Sequence, residues 1–93
     1  MFEILESNYF SKKAKKLLGK NLLLVQKVEI TVELLSLDPS DPKLHSHKVN
    51  SPKFGSCFSS RVTGDIRIIW NYGVDGEVEI LELLDIGGHG EVY

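Results

Sequence analysis

Ile66-Arg67-Ile68-Ile69-Trp70-Asn71-Tyr72-Gly73-Val74-Asp75-Gly76-Glu77-Val78-Glu79-Ile80-Leu81-Glu82-Leu83-Leu84 is the stretch that decides the fold. Two runs rich in Ile, Leu, Val and Trp flank Asp75-Gly76, a pair suited to the positive φ angles of a tight hairpin turn. Strands are therefore expected over 66–72 and 77–84. Two earlier segments, 44–49 and 57–62, have the same texture and are bounded by Pro, Ser and Gly. Upstream of Pro42 the period changes. Phe10, Ala14, Leu17 and Leu18 fall on one side of a helix that Ser7 or Asn8 caps and Gly19 stops. Asn21 caps a second helix, in which Val25, Val28, Val32 and Leu35 form a stripe widened by Leu22, Leu24 and Leu34. Asp38-Pro39 ends that helix, and Asp41-Pro42 reinforces the break. Phe2–Leu5 reads as a short first strand. The order β-α-α-β-β-β-β predicts one α+β domain over residues 1–93. Its N-terminal helical hairpin packs on one face of a mostly antiparallel, twisted sheet.

Composition bounds the function. The chain is 42% hydrophobic and 26% charged, that of an ordinary globular domain. No apolar run approaches the ~20 residues of a bilayer span, so no membrane partner is expected. No basic segment followed by an apolar stretch opens the chain, which reads as cytoplasmic. Cys57 has no partner for a disulfide and no Cys/His companions for a zinc site, so no metal and no cofactor are expected. It reads as a small apolar strand residue. Net charge is −2, yet residues 1–53 hold nine Lys against six acids and residues 54–93 two Arg against seven. Lys12, Lys13, Lys15, Lys16 and Lys20 crowd one stretch. Such sorting reads either as a solvated helix face or as a local basic surface that attracts phosphate.

Strand alternation places Ile66, Ile68 and Trp70 on one face and Arg67, Ile69 and Asn71 on the other. If the helices cover the Trp70 face, Trp70 is core and Arg67 projects from the uncovered face. A mid-strand arginine is costly to bury unpaired. It either pairs with a carboxylate such as Glu79 or Asp65, or it receives an anion. The chain's final stretch, Leu83-Leu84-Asp85-Ile86-Gly87-Gly88-His89-Gly90-Glu91-Val92-Tyr93, runs an apolar strand into a Gly-Gly turn that presents His89. His, Glu, Val and Tyr in place of a polar tail suggest a docked segment lining a site.

Three pieces, Leu44-His45-Ser46-His47-Lys48-Val49, Arg67-Ile68-Ile69-Trp70 and the 83–93 stretch, resemble the RelE/ParE superfamily of bacterial toxins, most closely RelE-type and YafQ-type mRNA interferases. Tyr9-Phe10-Ser11-Lys12-Lys13-Ala14-Lys15-Lys16-Leu17 is similar to the lysine-rich first helix of these proteins. The resemblance covers nearly the whole chain. It implies a microbial-RNase-like fold and a metal-free ribonuclease that cuts mRNA on the ribosome. It also implies silencing by a cognate antitoxin, through which the pair binds operator DNA. This sequence departs at Val49-Asn50-Ser51, where relatives continue Leu-Lys-Gly. It also has Arg61 near a YafQ-type histidine and Asp85 near an arginine. Asp85 brings a negative charge that either orients His89 or opposes phosphate binding.

Metal-free RNA cleavage uses the ribose 2′-OH as nucleophile. It needs a base, an acid for the leaving 5′-oxygen, and cations at the phosphoryl group. Histidine, with an unperturbed pKa near 6.5, suits both proton transfers. In the family fold the segments holding His45, His47 and His89 converge. His47 is then the expected general base and His89 the general acid, or the reverse. Arg67 holds the scissile phosphate, and Asp65 tunes a histidine or serves as base. Tyr93 stacks on a base or donates to phosphate. His45, Lys48, Lys53 and Arg61 are expected RNA contacts. Two other classes compete: a ParE-like inhibitor of DNA gyrase, which needs no proton-transfer pair, and an antitoxin-binding module that has lost catalysis.

Overall fold

A computed structural model describes residues 1–92; Tyr93 lies outside the described residues. The elements are β1 (Glu3–Glu6), α1 (Asn8–Leu18), α2 (Leu22–Leu37), β2 (His47–Ser51), β3 (Gly55–Arg61), β4 (Ile66–Asp75), β5 (Val78–Gly88) and a short α3 (His89–Val92), with a 3-10 turn at Pro42–Leu44. The five strands lie in the order β1-β5-β4-β3-β2. All pairings are antiparallel except β1 on β5, so the sheet is mixed.

Local chemistry explains the boundaries. The Ser7 hydroxyl accepts the Phe10 N–H at 3.0 Å, and the Asn21 side chain accepts that of Leu24 at 3.1 Å. Each cap satisfies an orphan donor and is worth about 1 kcal/mol. Gly19, at φ 49°, ends α1 with its N–H on the Lys15 carbonyl. The segment expected as a strand over 44–49 begins later. Asp41 accepts the Lys43 N–H, Pro42 opens the 3-10 turn, and His45 at φ 49° turns the chain before β2 starts at His47. The last strand is longer than expected: it runs through Gly87 and Gly88, and the turn begins only at His89.

The core lies between the helices and one sheet face. Phe10, Ala14, Val28 and Leu35 from the helices pack with Ile68, Trp70, Leu81, Leu83 and Ile86 from β4 and β5. Each such side chain contributes roughly 1.5–3 kcal/mol on full burial. The α2 stripe is narrower than its sequence indicates. Leu22 is 75% exposed, whereas Thr31 is buried with its hydroxyl bonded to the Lys27 carbonyl. On the opposite sheet face a small cluster of Cys57, Ile69 and Val92 sits with Val49 and Leu84. That face is otherwise open.

Candidate active site

The open face collects the residues of interest by strand parity. Cross-strand pairs share a face. The register His47↔Ser59, Ser59↔Ile69 and Arg61↔Arg67 therefore sets His47, Arg61 and Arg67 on the face away from Trp70. One open cleft of about 380 Å³ is lined by His45, Ser46, His47, Arg61, Arg67 and His89. It draws on the turn before β2, the ends of β2, β3 and β4, and the first residue of α3. Residues far apart in sequence thus share one cationic, imidazole-rich surface.

Arg67 is 9% exposed. Its guanidinium is held by main-chain carbonyls and not by the carboxylate of Glu79 or Asp65. Nη1 donates to the carbonyls of Thr63 (2.7 Å) and Ile66 (3.3 Å), and Nη2 to that of Gly64 (3.1 Å). The β3–β4 turn is thus a cage of carbonyl oxygens that fixes the fork without neutralising its charge. Asp65 instead accepts the His89 N–H at 3.3 Å, tying the turn to the start of α3. Glu79 is opposite Val74, toward the far end of the hairpin. Arg61 stands directly across from Arg67. Like charges directly opposite destabilise a sheet, so the pair marks a place suited to an anion.

The His47 ring is held by a backbone contact. His47 Nδ1 lies 3.0 Å from the His45 carbonyl. A carbonyl only accepts, so Nδ1 carries the proton and a neutral His47 has its lone pair on Nε2. That tautomer suits a proton acceptor. His45 and His47 are exposed, as is His89. The shared wall is stiffened from behind: the Ser46 hydroxyl meets that of Ser60 at 2.7 Å, and buried Trp70 Nε1 donates to Ser60 at 2.8 Å. This serine pair was not foreseen from sequence. Its one signal in the sequence was Ser59-Ser60 following Cys57-Phe58 in β3.

Some expected residues lie elsewhere. Lys48 pairs with Phe58, on the face opposite His47, and Lys53 sits over the Tyr9 ring with Nζ 4.2 Å from its centre. Neither lines the cleft. Tyr93 is outside the described residues. Asp85 plays neither role considered for it. Its carboxylate binds Lys13 Nζ at 2.7 Å and accepts the Ile86 N–H at 2.8 Å. Lys13 reaches it because β1 stops at Glu6 and Ser7 bonds the Leu83 carbonyl, which starts α1 beside β5. Among the described residues no group of three or more His, Cys, Asp or Glu is arranged to hold a metal, and no helix is long and apolar enough to cross a membrane. Burial pushes the Cys57 thiol up from its ordinary value, against a smaller lowering by a hydrogen bond from the Ser51 backbone. That thiol is poorly suited to nucleophilic work.

No family model and no curated protein matches the sequence. Solved structures do match in fold. A YoeB/ParE toxin from Agrobacterium tumefaciens superposes with a TM-score of 0.76 at 12% identity, over 95% of this chain and 99% of that one. YafQ from E. coli strain BL21(DE3) gives 0.71 at 21% identity, over 97% and 96%. A structure of the E. coli DinJ-YafQ complex gives 0.69 at 23%, over 100% and 99%. The α+β fold observed is the fold of these toxins.

Proposed function

We propose that this chain is the toxin of a bacterial type II toxin–antitoxin pair and acts as a metal-free, ribosome-dependent mRNA endoribonuclease in the cytoplasm. The observation that carries this reading is the cleft in which three histidines and a cross-strand arginine pair meet. Fold likeness to YoeB/ParE and YafQ toxins supports it.

In this mechanism Nε2 of His47 takes the proton from the ribose 2′-OH, which attacks the adjacent phosphorus. The 5′-oxygen leaves with a proton from His89. The products are a 2′,3′-cyclic phosphate and a 5′-hydroxyl. Arg61 and Arg67 stabilise the charge that builds on the phosphoryl oxygens, Arg67 from a guanidinium its carbonyl cage has already oriented. Asp65 holds the backbone of His89 and so sets where the acid stands. Tyr93 and His45 remain proposed RNA contacts. The cognate antitoxin is the proposed protein partner, supported by the DinJ-YafQ complex among similar structures; operator DNA is reached through it.

The test is cleavage of ribosome-bound mRNA by purified protein. His89→Ala and His47→Ala each lower the rate about 10²–10⁴-fold while thermal unfolding stays unchanged. Supercoiling by gyrase is assayed in parallel. Full cleavage by both variants removes the mechanism. Gyrase inhibition without cleavage replaces the nuclease reading with that of a gyrase inhibitor.

A further inference from the structure

Helix α2 is apolar on both of its sides. Val28 and Leu35 are buried in the core, while Leu23, Ile30 and Leu37 lie on the outer side and are 64%, 58% and 55% exposed. These three recur every seven residues, about two turns, so they line up along one face of the helix, and exposed Leu22 flanks them. A helix that is hydrophobic all round is buried all round, and a contiguous apolar patch larger than a few hundred Å² marks an interaction surface. We propose that this stripe is the interface of a two-fold dimer, in which α2 packs antiparallel on α2 of a second copy with Ile30 on the axis.

The choice of a second copy follows from symmetry. An isologous interface needs a surface complementary to itself. With the axis at Ile30, residues the same number of places before and after it come level in the two copies. Leu23 and Leu37 stand seven residues, about 10.5 Å, to either side, so each meets the other and Ile30 meets Ile30. Charge obeys the same symmetry. Lys27 and Glu33 stand three residues to either side, which brings each lysine level with a glutamate of the second copy. Farther out, Lys20 precedes the Asn21 N-cap and Asp38 is the C-cap.

The sign of these charges points the same way. Helix α2 has no acid in its first turn and no base in its last. Its charges thus oppose its own dipole, which is positive at the N-terminus and negative at the C-terminus. An antiparallel second copy removes that conflict, because it sets the acidic end of one helix beside the basic end of the other. A parallel pair would double the conflict. The helices cover one face of the sheet and the histidine cleft opens on the other, so both clefts face outward from such a dimer. The dimer therefore stands or falls independently of the ribonuclease reading.

Four leucine-sized side chains per copy make a small interface, below about 1,200 Å² in total, so a weak dimer with a Kd on the order of 10 µM is expected. Sedimentation equilibrium of the purified chain from about 1 to 200 µM, on either side of that Kd, should show monomer passing to dimer. Ile30→Glu sets two like charges on the axis and should hold the chain monomeric throughout. Residue 30 is exposed, so at about 1 µM, well below that Kd, the variant should unfold at the wild-type temperature. Cysteine cross-linking reads the helix direction, and buried Cys57 stays out of the reaction. Under mild oxidation Ile30→Cys should join to its own copy. Leu23→Cys and Leu37→Cys chains should join to each other when mixed, and neither to itself. A wild type that stays monomeric at the highest concentration hands the stripe to a different protein and overturns the dimer. So does a dimer that survives Ile30→Glu, or cross-linking of Leu23→Cys to itself in place of Leu37→Cys.

Discussion

Replacing Arg61 by Gln should make the protein more stable in the absence of anions and less stable in their presence. Arg61 and Arg67 face each other across β3 and β4. Arg67 is held in place by carbonyls, so it cannot swing away from its neighbour. Like charges directly opposite in a sheet cost about 0.2–1 kcal/mol. Gln keeps most of the side-chain length and polarity but removes the charge. A gain of about 0.5 kcal/mol follows, which for a domain of this size raises Tm by about 2–4 °C. Phosphate reverses the order. A ligand bound only by the folded state at a hundred times its Kd stabilises by about 2.7 kcal/mol. In wild type that corresponds to a rise of about 10–20 °C. In Arg61→Gln the rise is smaller at the same concentration, because one of the two cations is gone. Calorimetric scans at low ionic strength, repeated with inorganic phosphate and with chloride of equal ionic strength, separate site binding from general screening. The two stability curves should cross as phosphate is added. A variant that is less stable without anion, or one that answers phosphate as wild type does, refutes the idea that the pair is an anion site.

Other consequences concern the frame around the cleft. Ser60→Ala leaves the buried Trp70 N–H without its acceptor, an expected loss of about 1–3 kcal/mol. Urea unfolding followed by Trp70 fluorescence measures it, and a loss below ~0.5 kcal/mol rejects the network. Lys13→Met strands the Asp85 carboxylate, whose side chain is only 6% exposed while that of Lys13 keeps 26% of its surface in water. The expected cost is about 1–3 kcal/mol, less than for a fully buried pair, and adding Asp85→Asn should recover part of it in a double-mutant cycle. Because burial raises the Cys57 thiol above its ordinary value, the unfolded chain releases that proton first. Stability is therefore retained below about pH 8.5 and falls as pH climbs from there toward the folded value. Cys57→Ala should flatten that alkaline slope in pH-dependent denaturation, and an unchanged slope assigns it to other groups.

Elements were legible in the sequence where short-range chemistry sets them. Ser7, Gly19, Asn21 and Asp38-Pro39 act within a turn of their own helix; the hairpin expected at Asp75-Gly76 also forms locally, one residue on, with Asp75 pairing Val78 and Gly76 (φ 63°) and Glu77 making the turn. Strand alternation likewise told which face Arg67 and Trp70 would take. The partners of charged groups were not legible, because they are chosen by tertiary distance. Arg67 found main-chain carbonyls, which every residue type supplies and which leave no mark in sequence. Asp85 found Lys13, 72 residues away. Lys48 and Lys53 looked like site residues by proximity along the chain, but parity turns Lys48 to the opposite face and Tyr9 engages Lys53.

The least visible feature is also the one on which the cleft depends. Between Ile69 and Trp70 the register of β4 on β5 shifts, pairing Ile69 with Asp85 and Trp70 with Leu83, so that Leu84 is the extra residue of a bulge. Leu81 and Leu83 face the helices on odd positions; Ile86 does so on an even one. In an unbroken strand one of these sets would point away from the core. If Leu81 and Leu83 kept their place, Asp85 would be driven beneath the helices and Ile86 into solvent. The bulge resolves this conflict and re-phases the rest of β5. Gly87 then lies on the open face opposite Arg67, where a side chain would meet the Glu91 carboxylate at 3.0 Å and Val92 at 3.3 Å. Glycine there lets α3 fold back on the sheet, burying Val92 against Cys57 and Ile69. His89, the first residue of α3, is thereby brought to the rim beside Arg67. Core packing and assembly of the cleft thus draw on a single irregularity in one strand, which ties the position of the proposed general acid to the packing of the opposite face.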